Sequence, residues 1–338
     1  MKKISIALAT YNGARYLREQ LDSILRQTVP FSELVISDDA STDDTWRIIT
    51  EYAAKDARIN AYRNETNIGF IANFEKALFH CTGDYIALSD QDDIWLPEHI
   101  EVLLNHIGDK ILAVGDAELI RADGSRIGKR LSYLEHLDSI PVSDASTAYT
   151  IFFYRGYIQG ASMLFKRALL SKGLPIPDNG IYHDLWLSAF ACFAGGIRNI
   201  SEVVTLYRRH DKAVTRAKKR RSRLRTIIGH ILLSRALRNR NILVQELRTR
   251  LRDVLNDEQT AFLNQAEKYC ARRNTLLGRI RNFFFEIRYY KMIYSCNGLF
   301  GTAPKPTQLR GGVNWLINNE LRGFLSEEWV INLNSSAA

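Results

Sequence analysis

Over the first 120 residues, short apolar runs alternate with segments of helical period, and this pattern constrains the chain more than any other feature. Residues 4–9 form a β-branched run closed by Thr-Tyr-Asn-Gly. Leu17, Leu21, Ile24 and Leu25 then recur at helical spacing as far as Pro30. Residues 34–37 read as a second strand, with Thr42 or Asp43 as N-cap of a helix carrying Trp46, Ile49 and Ala53. Residues 59–62 read as a third strand, 69–81 as a helix and 85–88 as a fourth strand. A helix opening at Pro97 and a strand over 111–114 follow. Strands that alternate with helices join through parallel βαβ units, so the prediction is a doubly wound, mostly parallel α/β sheet flanked by helices.

Beyond that the pattern loosens. Residues 157–165 and 203–207 are strand-like, and 185–193 are helix-like after Tyr182-His183-Asp184. From Lys212 onward the chain reads as helical and basic, then aromatic. Two parts are expected, residues 1–215 and residues 216–338.

Ligands of such sheets bind beyond the carboxyl ends of the strands. Three polar loops fall there: residues 10–13, 38–42 and 90–93. Asp90, Asp92 and Asp93 place three carboxylates within four residues, and these repel one another unless a cation sits among them. Hard oxygen donors suit Mg²⁺ or Mn²⁺, and Mg²⁺ takes one or two carboxylates together with substrate phosphates. The plainer reading of these residues is a solvated turn. Asp38 and Asp39 can accept hydrogen bonds from a base or a ribose hydroxyl, or simply cap the next helix. Neither GxxxxGK[ST] nor GxGxxG occurs, so a diphosphate would have to be held by the metal.

Segments 6–13 (IALATYNG), 34–45 (LVISDDASTDDT), 85–97 (YIALSDQDDIWLP) and 182–187 (YHDLWL) resemble glycosyltransferase family 2, as does Asn67-Ile68-Gly69. The resemblance covers roughly residues 3–215. It implies a GT-A nucleotide-sugar transferase that inverts the anomeric centre and uses a divalent metal. Carried over by position, Thr10, Tyr11, Asn12, Asp38, Asp39, Asn67, Asp90 and Gln91 would bind the nucleotide sugar. Asp92, with Asp90, would hold the metal, and Asp184 would be the catalytic base. Gly160, Trp186 and His210 are candidates for contact with acceptor or diphosphate, although core packing also suits Trp186. Segments 67–77, 85–97, 159–165 and 207–210 are most similar to rhamnosyltransferase-type members that build O-antigen or capsule repeats. The implied donor is then a nucleotide-diphosphate sugar such as a rhamnosyl donor, the alternative being a UDP-hexose or UDP-HexNAc. The implied acceptor is a growing polysaccharide or a lipid-linked saccharide.

The chain carries a net +9, unevenly spread. Thirteen Lys or Arg and one acid between Arg216 and Arg252 make +12 there, which leaves −3 elsewhere. Leu224, Ile227, Ile228, Ile231, Leu232, Leu243, Leu247 and Leu251 recur among those arginines at helical spacing. A basic amphipathic helix is expected to lie on an anionic membrane surface, the alternative being a packed helical cap. Residues 283–294 interleave aromatics with cations and suit the same interface. The longest uncharged stretches are 13 residues, against the roughly 20 apolar residues of a spanning helix. Met1-Lys2-Lys3 and the apolar run after it read as a first strand and not as a signal peptide. Four dispersed cysteines without a CxxC pair fit a reduced compartment. A cytoplasmic enzyme, peripheral on the inner face of the membrane, is therefore expected. Nucleic-acid binding has the basic run in its favour but no recognised fold. A glycoside hydrolase would use paired carboxylates without needing the Asp38-Asp39 loop.

Overall fold

A computed structural model describes residues 2–131, 148, 151–152, 158–177, 181–210, 235–272, 278, 281–282 and 285. Its centre is a nine-stranded sheet. Strands β1 (Ile4–Thr10), β2 (Glu33–Asp38), β3 (Ile59–Arg63) and β4 (Tyr85–Asp90) pair in parallel in the order β3-β2-β1-β4. Helices α1 (Ala14–Leu25), α2 (Thr45–Ala53) and α3 (Phe70–His80) connect them, as the alternation predicts. Then come β5 (Ile94–Trp95), α4 (His99–His106), β6 (Leu112–Arg121), β7 (Arg126–Arg130), β8 (Met163–Lys166), α5 (His183–Ala194) and β9 (Ile197–Arg209). β8 runs antiparallel between β4 and β6. β9 is parallel to β6, while β5 and β7 are antiparallel edges.

Local readings shift in three places. Residues 157–165 are not one strand: a 3₁₀ turn at Gly160–Ser162 precedes β8. The strand foreseen at 203–207 is the end of the longer β9. The N-cap of α2 is Asp44, while the Asp43 carboxylate accepts from the Thr45 N–H at 3.0 Å.

Alternation along the strands splits the core in two. Ile4, Ile6 and Leu8 of β1 point to one face with Leu17, Leu21, Ile24, Ile48 and Leu103. Ala7 and Ala9 point to the other with Phe74, Trp186 and Phe190. The result is a three-layer α/β/α arrangement. Helices α6 (Arg235–Leu251) and α7 (Asp257–Arg272) form a hairpin on the second face. Of the two readings of Leu243, Leu247 and Leu251, a membrane-facing stripe or a packed cap, these three side chains follow the second. They are buried in that core with Phe152, Phe193 and Leu263, because an apolar stripe gains more against the sheet-covering helix α5 than in water. Residues 211–234 and 286–294, which carry the rest of the basic and aromatic reading, lie outside the described residues.

Candidate active site

Strand order reverses between β1 and β4, so a crevice opens beyond their carboxyl ends. The loops after both strands are locked together there. Gln91 Oε1 accepts from the Tyr11 N–H at 2.8 Å, and Gln91 Nε2 donates to the Tyr11 carbonyl at 3.0 Å. Gly13 makes this possible, since a Cβ there would lie 2.1 Å from Gln91 Oε1. The Gln91 amide therefore positions Tyr11, whose ring is exposed to the crevice.

Asp38 is closed off from the crevice. Its Oδ1 accepts from Thr10 Oγ1 at 2.9 Å and from Ser41 Oγ, while Arg63 Nε lies 3.5 Å from Oδ2. Both residues are buried, and Thr10 and Asp38, named from the sequence as nucleotide-binding, brace the loops with their side chains. Asp39 is also buried, and it accepts from Asn64 Nδ2 (2.9 Å), the Ile68 N–H (2.8 Å) and the Gly69 N–H (2.9 Å). An ionised carboxylate offers about four acceptor sites, so one remains. Asn67 Nδ2 reaches the Asp39 carbonyl at 3.4 Å. Asn12 Oδ1 accepts from the Thr42 N–H at 2.8 Å, tying the first loop to the second. Asn12 (φ 49°) and Ala40 (φ 56°) are the non-glycine residues with positive φ among those described, and both sit in this crevice. Strain held by its surroundings concentrates at functional sites.

Asp90, at the end of β4, is partly open to the crevice, yet its carboxyl lies deep. Desolvation, then the Asp92 and Asp184 charges, push its pKa up to about 8. Burial likewise raises Asp93, whose Oδ1 accepts from the Arg208 N–H at 2.8 Å. His210 Nε2 lies 2.7 Å from Asp92 Oδ2. Among the described residues no three His, Cys, Asp or Glu side chains form a ready-made metal cage. The donor set nevertheless fits Mg²⁺ or Mn²⁺: mutual repulsion at Asp90 is what a cation relieves, and such ions complete their shells with phosphate oxygens and water.

Asp184 stands in the first turn of α5, where its Oδ1 accepts from the Leu185 N–H at 2.7 Å. A Cβ on Gly160 would come within 3.0 Å of His183 Nε2 and 3.6 Å of the Asp184 Cβ, so the 3₁₀ turn packs closely against the helix start. Gly160 and Asp184 are thereby brought together with Asp90. Trp186 is not. It is fully buried, its Nε1 donates to the Gly173 carbonyl at 2.6 Å, and Arg250 lies over its ring, so it packs the core and cannot stack on an acceptor.

Sequence reasoning overlooked Arg208, Tyr16 and Glu19. The Arg208 guanidinium is buried 4.7 Å above the Tyr16 ring and donates to the Asp92 carbonyl, the Ala122 carbonyl and Glu19 Oε2. Tyr16 in turn meets the His210 ring at 4.9 Å. The available signal was parity, since Arg208 shares a strand face with buried Val204.

The sequence profile of Glycosyl transferase family 2 matches residues 5–173. An uncharacterized protein of Mycobacterium tuberculosis is 33% identical over 220 residues, 62% of this chain and 60% of its own. A Bacillus subtilis protein named as the teichuronic acid biosynthesis glycosyltransferase TuaG is 31% identical over 144 residues, 42% of this chain and 56% of its own. The chain thus spans less than two thirds of the length of these relatives. Residues 1–349 of TarS from S. aureus, solved with UDP-GlcNAc, superpose with TM-score 0.53 at 17% identity, covering 87% of this chain and 79% of that one. The mannosyltransferase PcManGT of Pyrobaculum calidifontis, solved with GDP-Man and Mn²⁺, gives TM-score 0.51 at 20% identity, covering 99% and 86%. The fold is GT-A, and with half its length matched by the family profile the chain belongs to glycosyltransferase family 2.

Proposed function

We propose that this protein is an inverting glycosyltransferase that moves a sugar from a nucleoside-diphosphate donor to a saccharide acceptor. The observation that carries this reading is the meeting of Asp90, Asp92 and Asp184 at the crevice where the Tyr11 and Asp39 loops converge. Tyr11, Asn12, Asn67 and the remaining acceptor site of Asp39 face the nucleotide, braced by Thr10, Asp38 and Gln91. Asp92, with Asp90 and His210 beside it, holds a divalent cation, which neutralises charge developing on the leaving diphosphate when bound. Asp184 removes the proton from an acceptor hydroxyl. As that oxygen bonds to the anomeric carbon from one face, the bond to the diphosphate breaks on the other, and the configuration inverts.

Solved neighbours carry UDP-GlcNAc and GDP-Man, so the fold accepts different donors. The rhamnosyltransferase-type wording of residues 67–77 and 85–97 favours a rhamnosyl donor, with UDP-hexose or UDP-HexNAc as the second reading. The name of TuaG, which refers to teichuronic acid biosynthesis, supports a growing polysaccharide as acceptor. No helix among the described residues is long and apolar enough to cross a membrane. Association with an anionic inner surface then rests on the cations after Arg216.

A thermal-shift series with dTDP-rhamnose, UDP-GlcNAc, GDP-mannose and UDP, with and without Mn²⁺, tests the donor and the metal together. The expected result is Mn²⁺-dependent stabilisation by one nucleotide class, abolished in Asp92→Ala. Full transfer by the wild-type protein in excess EDTA would sink the metal role.

A further inference from the structure

Two aromatic rings stand open at the mouth of the crevice beside Asp184. Tyr182 is 46% exposed and Phe70 is 38% exposed, and their rings meet edge-on at 5.4 Å between centroids. They come from opposite walls. Phe70 opens α3 directly after Gly69, whose N–H is held by Asp39, and Tyr182 is the N-cap of α5, two residues before Asp184. Folding leaves both rings uncovered, although burial of large aromatics is among the strongest contributions to a core.

The His183 imidazole lies beneath them, stacked on Phe74 at 4.0 Å and edge-on to Phe70 at 6.2 Å. It is more than nine-tenths buried, and neither ring nitrogen has a hydrogen-bond partner. Desolvation lowers its pKa, so the ring stays neutral and offers one donor and one acceptor. Buried polar groups without partners are rare because their desolvation is uncompensated. Gly160 faces Nε2 on the other side, where even a Cβ would lie 3.0 Å away. Phe74 and Gly160 close the imidazole off, so a ligand meets the aromatic rim and the half-buried Asp184 carboxylate beside it. That pairing suits an apolar face with a hydroxyl edge. A pyranose has both. A hydrocarbon chain would leave the carboxylate unmet.

We infer that Tyr182 and Phe70 form the acceptor-sugar subsite, on which the apolar face of a pyranose rests while a hydroxyl turns toward Asp184. This rests on the assignment of Asp184 as base. It divides the crevice: Tyr11 serves the nucleotide, and the Phe70–Tyr182 pair serves the sugar that receives the transfer.

The test uses the full chain with p-nitrophenyl glycosides of rhamnose, glucose, galactose and N-acetylglucosamine as probes. Glycoside binding is read by saturation-transfer NMR, and turnover is read with whichever donor stabilises the protein. Tyr182→Ala and Phe70→Ala are each expected to raise KM for the glycoside about 3- to 10-fold, the range that aromatic packing supports, with a smaller change in kcat. Affinity for the nucleoside diphosphate should stay within about two-fold, and Tyr182→Trp should restore KM. Both side chains are exposed, so unchanged unfolding midpoints can verify the fold of each variant. Unchanged saturation transfer and KM in both variants would overturn the subsite, as would donor affinity falling in parallel, or a wild-type protein that binds none of the glycosides at millimolar concentration. If Tyr182→Ala abolishes saturation transfer to the glycoside in a protein to which no nucleoside diphosphate binds, the subsite is upheld and the donor reading is overturned instead.

Discussion

Arg208 Nε donates at 2.8 Å to the main-chain carbonyl of Asp92, joining residues 116 positions apart. The same side chain reaches Ala122 and Glu19, and its own N–H holds Asp93. One buried cation thus sets the height of the acidic loop above the sheet. The loop cannot rely on its own sequence for this, because three neighbouring carboxylates repel.

Arg208→Gln should therefore weaken both the fold and the metal site. Each buried carbonyl left without a donor costs about 1–3 kcal/mol, and Lys cannot replace a fork that serves three acceptors. Urea unfolding should show the decrease for both Gln and Lys. A Mn²⁺ titration in the presence of UDP should show weaker dependence than in the wild type. Reduced stability with an unaltered Mn²⁺ titration would confine Arg208 to a structural role.

Asp184→Asn preserves shape and removes the basic oxygen. Transfer should fall by on the order of 10²–10⁴, the usual contribution of a positioned general base. The Leu185 N–H keeps an acceptor in the Asn amide oxygen, so the start of α5 should survive. Donor affinity, measured by titration calorimetry, should barely move. An equal collapse of donor affinity would place Asp184 in the nucleotide site.

His99 should make stability fall on acidification, against the opposite pull of Asp90 and Asp93, whose raised carboxyls take up protons in the folded state. This ring lies flat on Trp95 at 3.8 Å, with Nδ1 3.1 Å from the Val204 carbonyl, and burial takes its pKa down to about 3. An unfolded imidazole protonates near pH 6.5. Between about pH 6.5 and 3 the unfolded chain therefore binds a proton that the folded one refuses, so unfolding gains about 1.4 kcal/mol per pH unit. His183, also lowered by burial, acts in the same direction. Between pH 7 and pH 4.5 the urea midpoint of the wild type should lose ground steadily to that of His99→Gln, since Asp90 and Asp93 act alike in both proteins. Equal slopes in variant and wild type would count against this assignment.

The α6–α7 hairpin should behave as part of the core. Leu247→Ala removes a fully buried side chain and should cost about 2–5 kcal/mol. Truncation after residue 215 should lower the thermal midpoint and cause aggregation, since it uncovers Phe190 and Phe193. Binding of the full chain to anionic vesicles should vanish as salt shortens the Debye length from about 10 Å at 0.1 M, because the leucines of α6 face inward. A soluble, equally stable truncated domain would refute the packing role.

Much of this protein is determined locally. Apolar period alone marks β1 to β4 and α1 to α3, because strand and helix expose a face at spacings of 2 and 3.6 residues whatever lies opposite. Likewise the loops bearing Asp39, Asp90 and Asp92 stand at strand ends that parallel pairing must align. Period cannot say what an apolar face packs against. Leu243, Leu247 and Leu251 read equally well as a membrane face or an inner face, and only the neighbouring helices decided it. Nor does residue type reveal partners: Asp38 and Asp39 are adjacent, identical and both buried, yet one is satisfied by Thr10, Ser41 and Arg63 while the other organises the 64–69 loop. The Arg208–Glu19 bond spans 189 residues, and the Gln91–Tyr11 lock spans 80. Such bonds leave no local signature, because each partner is an ordinary polar residue until the sheet brings it beside the other.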